Sequence, residues 1–365
     1  MSAAPQSSPA TAVVEQLGLK VTGLHIRGLR AIRSLDLPKD GLGWDGQVPD
    51  LMMIGGVNGS GKTTLLEFLT TALESLVRRK EYFTGEEVTG VPARVRLPRE
   101  LEATEGWVDF LFAVPGASET QFRFIMGSED FFDDHATGNH FGYRKQGDVI
   151  KYVREHSSAP KLASVVAPPS QTGVVYIPCD RDLVTPEEKF KSPGKKSKSW
   201  EWVHRWRRPI DWKDSFEAEL YDARWEYLNA KEEGKTDSQG AQRLENYNRA
   251  FEKFFHGSKS LAWEGAELVV RLRDQSHHTL SELSSGEKQV IMMMGEILQY
   301  WRPGSLILID EPELHLHTSW QTKLWESLID WQRERGGQVI VATQSNHLFK
   351  ISEPGTKVLL GGESL

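Results

Sequence analysis

The spacing of apolar and polar positions divides the chain into regions with different expected elements. Apolar residues alternate with polar ones over residues 17–37, which predicts an antiparallel strand pair with a turn between Gly28 and Ser34. Further strands are predicted within residues 93–178, whereas the polar, glycine-bearing stretch 130–147 is predicted to be a loop. After residue 265, short apolar runs alternate with helical patterns, which is typical of a parallel sheet covered on both faces. The pattern therefore predicts an α/β fold with an added antiparallel part.

Residues 185–260 interrupt that pattern with a long helical stretch. Apolar residues recur at helical spacing over 214–230 and again over 241–255, which predicts two amphipathic helices. The polar residues 231–240 are predicted to be the linker between them. We interpret residues 185–260 as a helical insertion between an N-terminal lobe, 17–184, and a C-terminal lobe, 261–365.

The insertion begins with a basic run, residues 189–208, in which tryptophans lie between lysines and arginines. Basic side chains can bind nucleic-acid phosphates while aromatic rings stack on bases, so nucleic acid is one interpretation. The favoured interpretation is a solvated loop followed by a helix whose tryptophans pack inward. A protein partner for exposed tryptophans is a third interpretation.

Composition narrows the class of protein without identifying it. The formal charge of −7 argues against a general polyanion binder, and 39% hydrophobic residues suffice for a sizeable core. The single cysteine, Cys179, excludes an intrachain disulfide and a cysteine cluster for zinc, which agrees with a reducing cytoplasm. No apolar run reaches the roughly 20 residues of a membrane span. Residues 1–16 lack the pattern of a signal peptide and are predicted to be a disordered tail.

The most informative motif is the run from Gly56 to Thr63, which reads G-V-N-G-S-G-K-T. It lies between an apolar strand pattern, 51–54, and a helical pattern, 63–77, as the phosphate-binding loop of P-loop NTPases requires. Glycines let successive backbone N–H groups point at phosphate oxygens, and the helix N-terminus adds partial positive charge. We expect Lys62 to reach the β- and γ-phosphates of ATP and the Thr63 hydroxyl to bind Mg²⁺. The predicted nucleotide-binding set from this loop is Asn58, Gly59, Ser60, Gly61, Lys62, Thr63 and Thr64.

An acidic pair, Asp310-Glu311, directly follows a second apolar strand pattern. With a phosphate-binding loop upstream, this arrangement predicts a Walker B motif. Asp310 is then expected to bind Mg²⁺, directly or through water, and Glu311 to polarise the attacking water. The alternative, an acidic helix cap after a strand, is the weaker interpretation because of that loop.

Two further runs resemble one branch of the ABC-type ATPases. Leu283-Ser284-Ser285-Gly286-Glu287 departs by one residue from the signature L-S-G-G-[QE] and precedes the Walker B strand. The run from Asp310 to His317 reads D-E-P-E-L-H-L-H and is similar to the D-E-P-E-x-x-L-H stretch of the RecF, SMC-related and OLD-family branch. A plain serine-rich helix cap and a metal site at the two histidines are the alternatives.

The resemblance implies a P-loop fold with an ABC-type ATPase head, made of a mixed sheet core, an antiparallel part and a helical insertion. It implies a homodimer in which Ser284, Ser285, Gly286 and Glu287 of one subunit cover the ATP of the other. It also implies that Arg30, in the opening hairpin, approaches the nucleotide, and a surface arginine in a hairpin turn is the alternative interpretation. Gln344 stands where the family has a histidine that senses the γ-phosphate, which predicts slow hydrolysis. Arg181 occupies the place where the family couples nucleotide to its inserted lobe.

The function implied is ATP binding and hydrolysis with Mg²⁺, with the resulting conformational change transmitted to a protein effector or to DNA. Analogy with small ATPases of this branch predicts a cytoplasmic anti-phage defence protein. A RecF-like role in DNA repair is the alternative. The ATPase subunit of a transporter is less favoured, since no clear Q-loop glutamine is evident. An OLD-type nuclease would need an additional acidic metal-binding domain, which is not expected after Thr343.

Overall fold

The computed structural model describes residues 18–38, 48–77, 104–113, 120–147, 149–155, 173–181, 202–209, 215–235, 238–353 and 356–361. In chain order the strands are β1 (Gly18–Leu29), β2 (Ile32–Leu37), β3 (Leu51–Gly55), β4 (Glu105–Ala113), β5 (Thr120–Ser128), β6 (His140–Gln146), β7 (Val149–Glu155), β8 (Val174–Ile177), β9 (Val203–Arg205), β10 (Lys259–Glu264), β11 (Glu267–Leu272), β12 (His277–His278), β13 (Leu306–Asp310), β14 (Gln338–Thr343) and β15 (Lys357–Leu359). The helices are α1 (Lys62–Val77), α2 (Glu129–His135), α3 (Phe216–Glu232), α4 (Gln239–Phe254), α5 (Ser285–Tyr300), α6 (Thr318–Arg335) and α7 (Asn346–Ile351). The predicted tail, 1–16, and residues 189–201 of the basic run lie outside the described residues.

A parallel sheet with the strand order β15-β3-β14-β13-β8-β9 forms the centre of the fold. The strands β3, β8, β13 and β14 are short and continuously apolar because both faces of this sheet are covered. Successive residues of a strand point to opposite faces, so Leu306 and Leu308 enter one core and Ile307 and Ile309 the other. The predicted parallel sheet is thus confirmed.

The second sheet, with the order β2-β1-β4-β5-β6-β7, is antiparallel except between β5 and β6. It shares a core with α1 and with one face of the parallel sheet. Helices α3 to α7 cover the other face, together with the small antiparallel sheet β10-β11-β12. The fold is therefore α/β with an added antiparallel part, as the pattern predicts.

The prediction of a loop over residues 130–147 is wrong, because this stretch contains most of α2 and all of β6. Ser128 caps α2, acidic residues occupy its first turn, and Phe132 is buried, so the helix needs few apolar positions. Gly142 lies in the middle of β6, where a Cβ atom would come 1.7 Å from the carbonyl oxygen of Ile125. The glycine therefore permits close pairing of two strands and does not mark a loop.

Helices α3 and α4 are the pair predicted within residues 185–260. They pack on each other closely at Gly240, where a Cβ atom would meet the carbonyl oxygen of Ala223 at 2.2 Å. Both helices contribute side chains to the core that α5 and α6 also line. Within residues 185–260, the first element that the structure describes is the strand β9, which lies at the edge of the parallel sheet.

The tryptophans of this region differ in their surroundings. Trp202 and Trp206 are buried beside β9, so they pack inward as predicted, although from a strand and not from a helix. Trp225 on α3 is 51% exposed and lies near the exposed Tyr227 and Leu228. Trp200 and Trp212 lie outside the described residues.

Candidate nucleotide site

The phosphate-binding loop connects β3 to α1 at the carboxyl edge of the parallel sheet. Gly59 and Gly61 have φ angles of +79° and +99°, which L-residues with side chains rarely adopt. A Cβ atom at Gly61 would also lie 2.6 Å from Cγ1 of Ile32. At Gly56 it would lie 2.3 Å from the Ser60 hydroxyl oxygen. The glycines are thus required by the curl of the loop and by its contact with the β1–β2 hairpin.

Lys62 is buried at the start of α1, with its amino group directed back over the loop. The ammonium donates to the carbonyl oxygens of Gly56 and Val57, at 2.9 and 3.2 Å. It also lies 3.5 Å from Oε1 of Glu311, the second residue of the acidic pair. One cation therefore contacts both the phosphate-binding loop and the predicted catalytic carboxylate.

Thr63 and Asp310 lie together, as a magnesium site of this type requires. The Thr63 hydroxyl donates to Oδ2 of Asp310 at 2.6 Å, and among the described residues Oδ1 of the same buried carboxylate has no hydrogen-bond partner. Burial raises the pKa of Asp310, and the hydrogen bond from Thr63 opposes that shift. Hard oxygen ligands with one unpartnered buried oxygen fit Mg²⁺, so these residues would hold the cation beside a bound triphosphate.

Glu311 adopts a left-handed backbone conformation, with φ at +46°. Its N–H donates to the carbonyl oxygen of Ala342 at 2.8 Å, which ties the end of β13 to β14. Its Oε2 accepts a hydrogen bond from Nε2 of Gln344 at 3.3 Å. The structure thus places Gln344 directly beside the predicted catalytic carboxylate.

His347 cannot take over the position of Gln344 in this arrangement. Its Nε2 lies 2.7 Å from the hydroxyl oxygen of Thr322 on α6, so the ring is held by a different element. The loop that carries Gln344 is fixed by Glu313, whose Oε1 accepts from the Thr343 hydroxyl and from two backbone N–H groups, those of Gln344 and Ser345. Burial raises the pKa of Glu313.

Arg181 is buried beneath the acidic pair and holds its backbone. The guanidinium donates to the carbonyl oxygens of Asp310 and Glu311, at 2.5 and 2.7 Å, and to that of Pro178. Burial lowers the pKa of Arg181 to about 10, so the group is still charged at neutral pH. The carbonyl oxygen of Arg181 accepts from Nε2 of Gln289 on α5 at 2.5 Å.

The signature residues form the start of α5. Ser284 caps this helix and forms a capping box with Glu287, whose carboxylate also pairs with Lys259 of β10. Burial alone would raise the pKa of Glu287, but the Lys259 and Ser284 hydrogen bonds outweigh it and the pKa is lowered. A Cβ atom at Gly286 would lie 2.7 Å from the carbonyl oxygen of His315. Ser284 and Ser285 are exposed.

Arg30 is exposed at the turn between β1 and β2, with φ at +51°. Two residues later Ile32 packs against Gly61, so this turn lies beside the phosphate-binding loop. The structure therefore brings together the loop, Asp310, Glu311 and Gln344, and it places the turn that carries Arg30 beside the loop. The hydrogen bonds of Ser284 and Glu287 are instead to each other and to Lys259, and not to the loop.

Three residues at the site carry contacts that the sequence motifs did not assign, namely Glu313, Gln289 and Lys259. Glu313 lies inside the D-E-P-E run, so its position in that run was the available signal. Gln289 and Lys259 had no signal, because only the packing of α5 shows which groups they meet.

The other candidate ligands do not form a second centre. Within the described ranges, no group of three or more His, Cys, Asp and Glu residues could hold a metal ion. His317 caps α6, where its Nδ1 accepts from the N–H of Ser319. In the basic run, Arg205 contacts Glu67 and Glu74 of α1, whereas Arg207 and Arg208 are exposed. No helix in the described part of the chain is both long and apolar enough to cross a bilayer.

Comparison with known proteins agrees with this geometry. The family model described as "AAA domain, putative AbiEii toxin, Type IV TA system" matches residues 195–350, which is less than half of the chain. The vitamin B12 import ATP-binding protein BtuD of Vibrio vulnificus (strain YJ016) is 36% identical over 97 residues. The BtuD protein of strain CMCP6 is 35% identical over the same length. Both sequence matches are partial, and they agree with a phosphate-binding loop that joins β3 to α1 in a mixed α/β fold.

The sequence matches to the BtuD proteins cover only part of each chain. The matched segment is 25% of this chain and spans 37% of the length of the curated BtuD proteins. Among solved structures, the SMC head domain from Thermotoga maritima is similar over 92% of both chains, at 15% identity and a TM-score of 0.46. An SMC head bound to the C-terminal winged-helix domain of ScpA is similar over 90% of both chains, at 13% identity and a TM-score of 0.43.

Proposed function

We propose that this ABC-type ATPase binds and slowly hydrolyses ATP with Mg²⁺ and closes as a head-to-tail homodimer around two ATP molecules. The observation that carries the proposal is the meeting of Lys62, Glu311 and Gln344 beside the Thr63–Asp310 pair. A triphosphate-binding loop, a cation site and a carboxylate for water are the parts that phosphoryl transfer to water needs.

In this mechanism the ion pair between Lys62 and Glu311 is a resting contact. A bound triphosphate would draw the Lys62 ammonium away from the carbonyl oxygens of Gly56 and Val57 and toward its own oxygens. Glu311 would then be free of its cation and able to accept a hydrogen bond from the attacking water. Mg²⁺, held by Thr63 and Asp310, would neutralise charge on the phosphates. Gln344 can donate a hydrogen bond but cannot carry a proton, which supports a slow reaction.

The exposed signature serines support the dimer. Ser284 and Ser285 lie at the N-terminus of α5, where backbone N–H groups and the helix dipole favour an anion. The hydrogen bonds of Ser284 are to Glu287 and not to the chain's own phosphate-binding loop, which supports a second copy as the source of the signature helix at each loop. We propose that Ser284, Ser285, Gly286 and Glu287 contact the ATP held by the partner subunit.

The output of the cycle is proposed to be a conformational change passed to a protein effector or DNA in anti-phage defence. The matching family description names a putative toxin of a type IV TA system, which supports a defence role. A RecF-like role in DNA repair is the alternative. The partial likeness to an ATP-binding protein of vitamin B12 import supports nucleotide binding, and a transporter subunit is the less favoured candidate.

The experiment that tests the proposal is the native mass of the Glu311→Gln variant in Mg-ATP. Without its hydrolytic carboxylate the protein is expected to stay ATP-bound at twice 41.3 kDa. The double variant Lys62→Ala/Glu311→Gln is the control, and it should remain at 41.3 kDa because ATP binding is lost. A Glu311→Gln protein that stays monomeric at saturating Mg-ATP would contradict the proposed dimer.

A further inference from the structure

Arg181 is an unusual cation because it is buried and its hydrogen bonds, among the described residues, all end on carbonyl oxygens. Only 4% of its surface is exposed, and its partners are the carbonyl groups of Pro178, Asp310 and Glu311. Burying a charged group without an ion pair is costly unless its surroundings supply compensating dipoles. Here those dipoles belong to the backbone of the acidic pair.

Arg181 donates to a residue, Glu311, whose backbone conformation is strained. Glu311 has φ at +46°, a conformation that costs free energy in a residue with a side chain. Three hydrogen bonds hold this backbone: the Glu311 N–H donates to the Ala342 carbonyl oxygen, and the Glu311 carbonyl oxygen accepts from Arg181 at 2.7 Å and, more weakly, from the Leu314 N–H at 3.2 Å. If the Arg181 bond were lost, the peptide after Glu311 could relax and the carboxylate would move.

Arg181 is itself held by the signature helix. Gln289 on α5 donates to the Arg181 carbonyl oxygen at 2.5 Å, and its side chain is also buried. Gln289 lies four residues, or about 6 Å along a helix, beyond Ser285. A displacement of the N-terminus of α5 is therefore carried by a rigid helical turn to Gln289, and from Gln289 to Arg181.

We propose that Arg181 is a positioning residue for Glu311 and that Gln289 connects it to the signature helix, so that the position of α5 sets the position of the catalytic carboxylate. The inference rests on the proposed function and adds a means of regulation to it. In the proposed dimer, α5 contacts the partner's ATP. Hydrolysis in one site would then depend on whether the other site is filled.

The decisive variant is Gln289→Leu, compared with Gln299→Leu as a matched control. Gln299 is a buried glutamine on the same helix whose amide nitrogen has no hydrogen-bond partner in the described part of the chain. Oε1 of Gln289 is likewise unpartnered there, but leucine at position 289 also leaves the Arg181 carbonyl oxygen without the donor that Gln289 supplies, so some loss of stability is expected at that position. We expect Gln289→Leu to lower kcat by at least about tenfold, because a small displacement of a catalytic group has effects of that size. KM for ATP should stay unchanged, and Tm should fall only by the few degrees that one lost hydrogen bond costs.

A second variant and a second measurement make the test complete. Arg181→Lys should lower kcat further, and combining it with Gln289→Leu should add little, because both act through one contact path. Without nucleotide, amide hydrogen exchange over residues 310–316 should be faster in Gln289→Leu than in Gln299→Leu. This second measurement does not depend on turnover.

Two results would overturn the inference. In the first, kcat and amide exchange in Gln289→Leu stay within about twofold of the Gln299→Leu values. In the second, kcat falls only in parallel with Tm and ATP affinity, as a structural defect would produce. Failure of the proposed function would appear elsewhere, in a Glu311→Gln chain that stays monomeric in Mg-ATP.

Discussion

At the residue scale, Glu313 is a buried carboxylate that the loop after β14 depends on. Its Oε1 accepts three hydrogen bonds, while its Oε2 is buried with no hydrogen-bond partner in the described part of the chain. Burial raises its pKa above the ordinary value of 4.5, and the nearby charge of Glu311 acts in the same direction. The folded protein therefore holds this proton more tightly than the unfolded chain does. The free energy of unfolding should fall as pH rises from about 4.5 through the raised pKa.

We expect Glu313→Gln to remove that pH dependence. The difference in Tm between variant and wild type should become more positive from pH 5 to pH 8. An unpartnered buried charged oxygen costs on the order of 1–3 kcal/mol, so the change should amount to a few degrees. Thermal unfolding without nucleotide at the two pH values is the measurement. Glu326→Gln, on the exposed face of α6, is the control and should show no such change. A Tm difference that is the same at both pH values would contradict the prediction.

Single residues of the site differ in how far the sequence could predict their surroundings. The conformation of the loop around Lys62 could be predicted, because this spacing of glycines, lysine and threonine between a strand and a helix is typical of a phosphate-binding loop. Their catalytic and binding roles remain predictions. The contacts of Arg181 and Gln289 could not be predicted, because they join residues 108 positions apart through one carbonyl group. No periodicity or spacing in a sequence encodes such a contact.

At the scale of single elements, α5 depends on its first residues for its own stability. The Ser284 hydroxyl donates to the Glu287 carboxylate at 2.7 Å, and the Ser284 N–H donates to the same oxygen at 2.8 Å. We expect Ser284→Ala to lower the free energy of unfolding by about 1 kcal/mol, the usual cost of a lost N-cap. Denaturant unfolding in the absence of nucleotide measures it.

Ser285 provides the control for that prediction, because it is exposed at the first position of the helix and is not the cap. Ser285→Ala should leave the free energy of unfolding unchanged within about 0.5 kcal/mol. Equal losses in the two variants would show that the capping box does not hold this helix end.

A helix could be predicted from the sequence where its apolar residues form a long stripe along one face. Helix α5 is one of the helical patterns predicted after residue 265, since its apolar positions recur at helical spacing and Ser284 marks its start. Helix α2 and strand β6 were missed because each is short and polar at the surface. For β6 the missing information is its pairing with β5 and β7, which the sequence of one segment does not contain.

At the scale of the whole molecule, the fold class follows from the pattern, whereas the closeness of distant segments does not. The parallel sheet brings Gly55, Asp310 and Thr343 to one edge, because β3, β13 and β14 are neighbours in it. The strand order β15-β3-β14-β13-β8-β9 depends on how the whole chain packs. The resemblance to ABC-type ATPases implied a mixed sheet core with an antiparallel part, but not this strand order.

In the proposed dimer each ATP site is built from two copies of the chain, and this can be tested by mixing two inactive variants. Lys62→Ala should be inactive because it cannot hold the triphosphate. Ser285→Glu should be inactive because its carboxylate would repel the partner's γ-phosphate, although an acidic residue in the first turn of α5 does not harm folding. In a head-to-tail dimer of the two variants, one site carries both defects and the other carries none. Random pairing makes half of the dimers mixed, so an equal mixture should recover at most about a quarter of wild-type turnover, and less to the extent that the empty site lowers hydrolysis in the filled one.

The measurement is the rate of phosphate release by the mixture and by each variant alone at the same total concentration. The recovered activity should rise with protein concentration, since it requires association of two chains. A mixture of Lys62→Ala with Lys62→Ala/Ser285→Glu is the control, because every site then lacks its lysine and no activity should return. Turnover in the test mixture no higher than the mean of the two separate variants would mean that each chain completes its own site. In that case the exposed serines at the start of α5 would be free to bind something other than ATP.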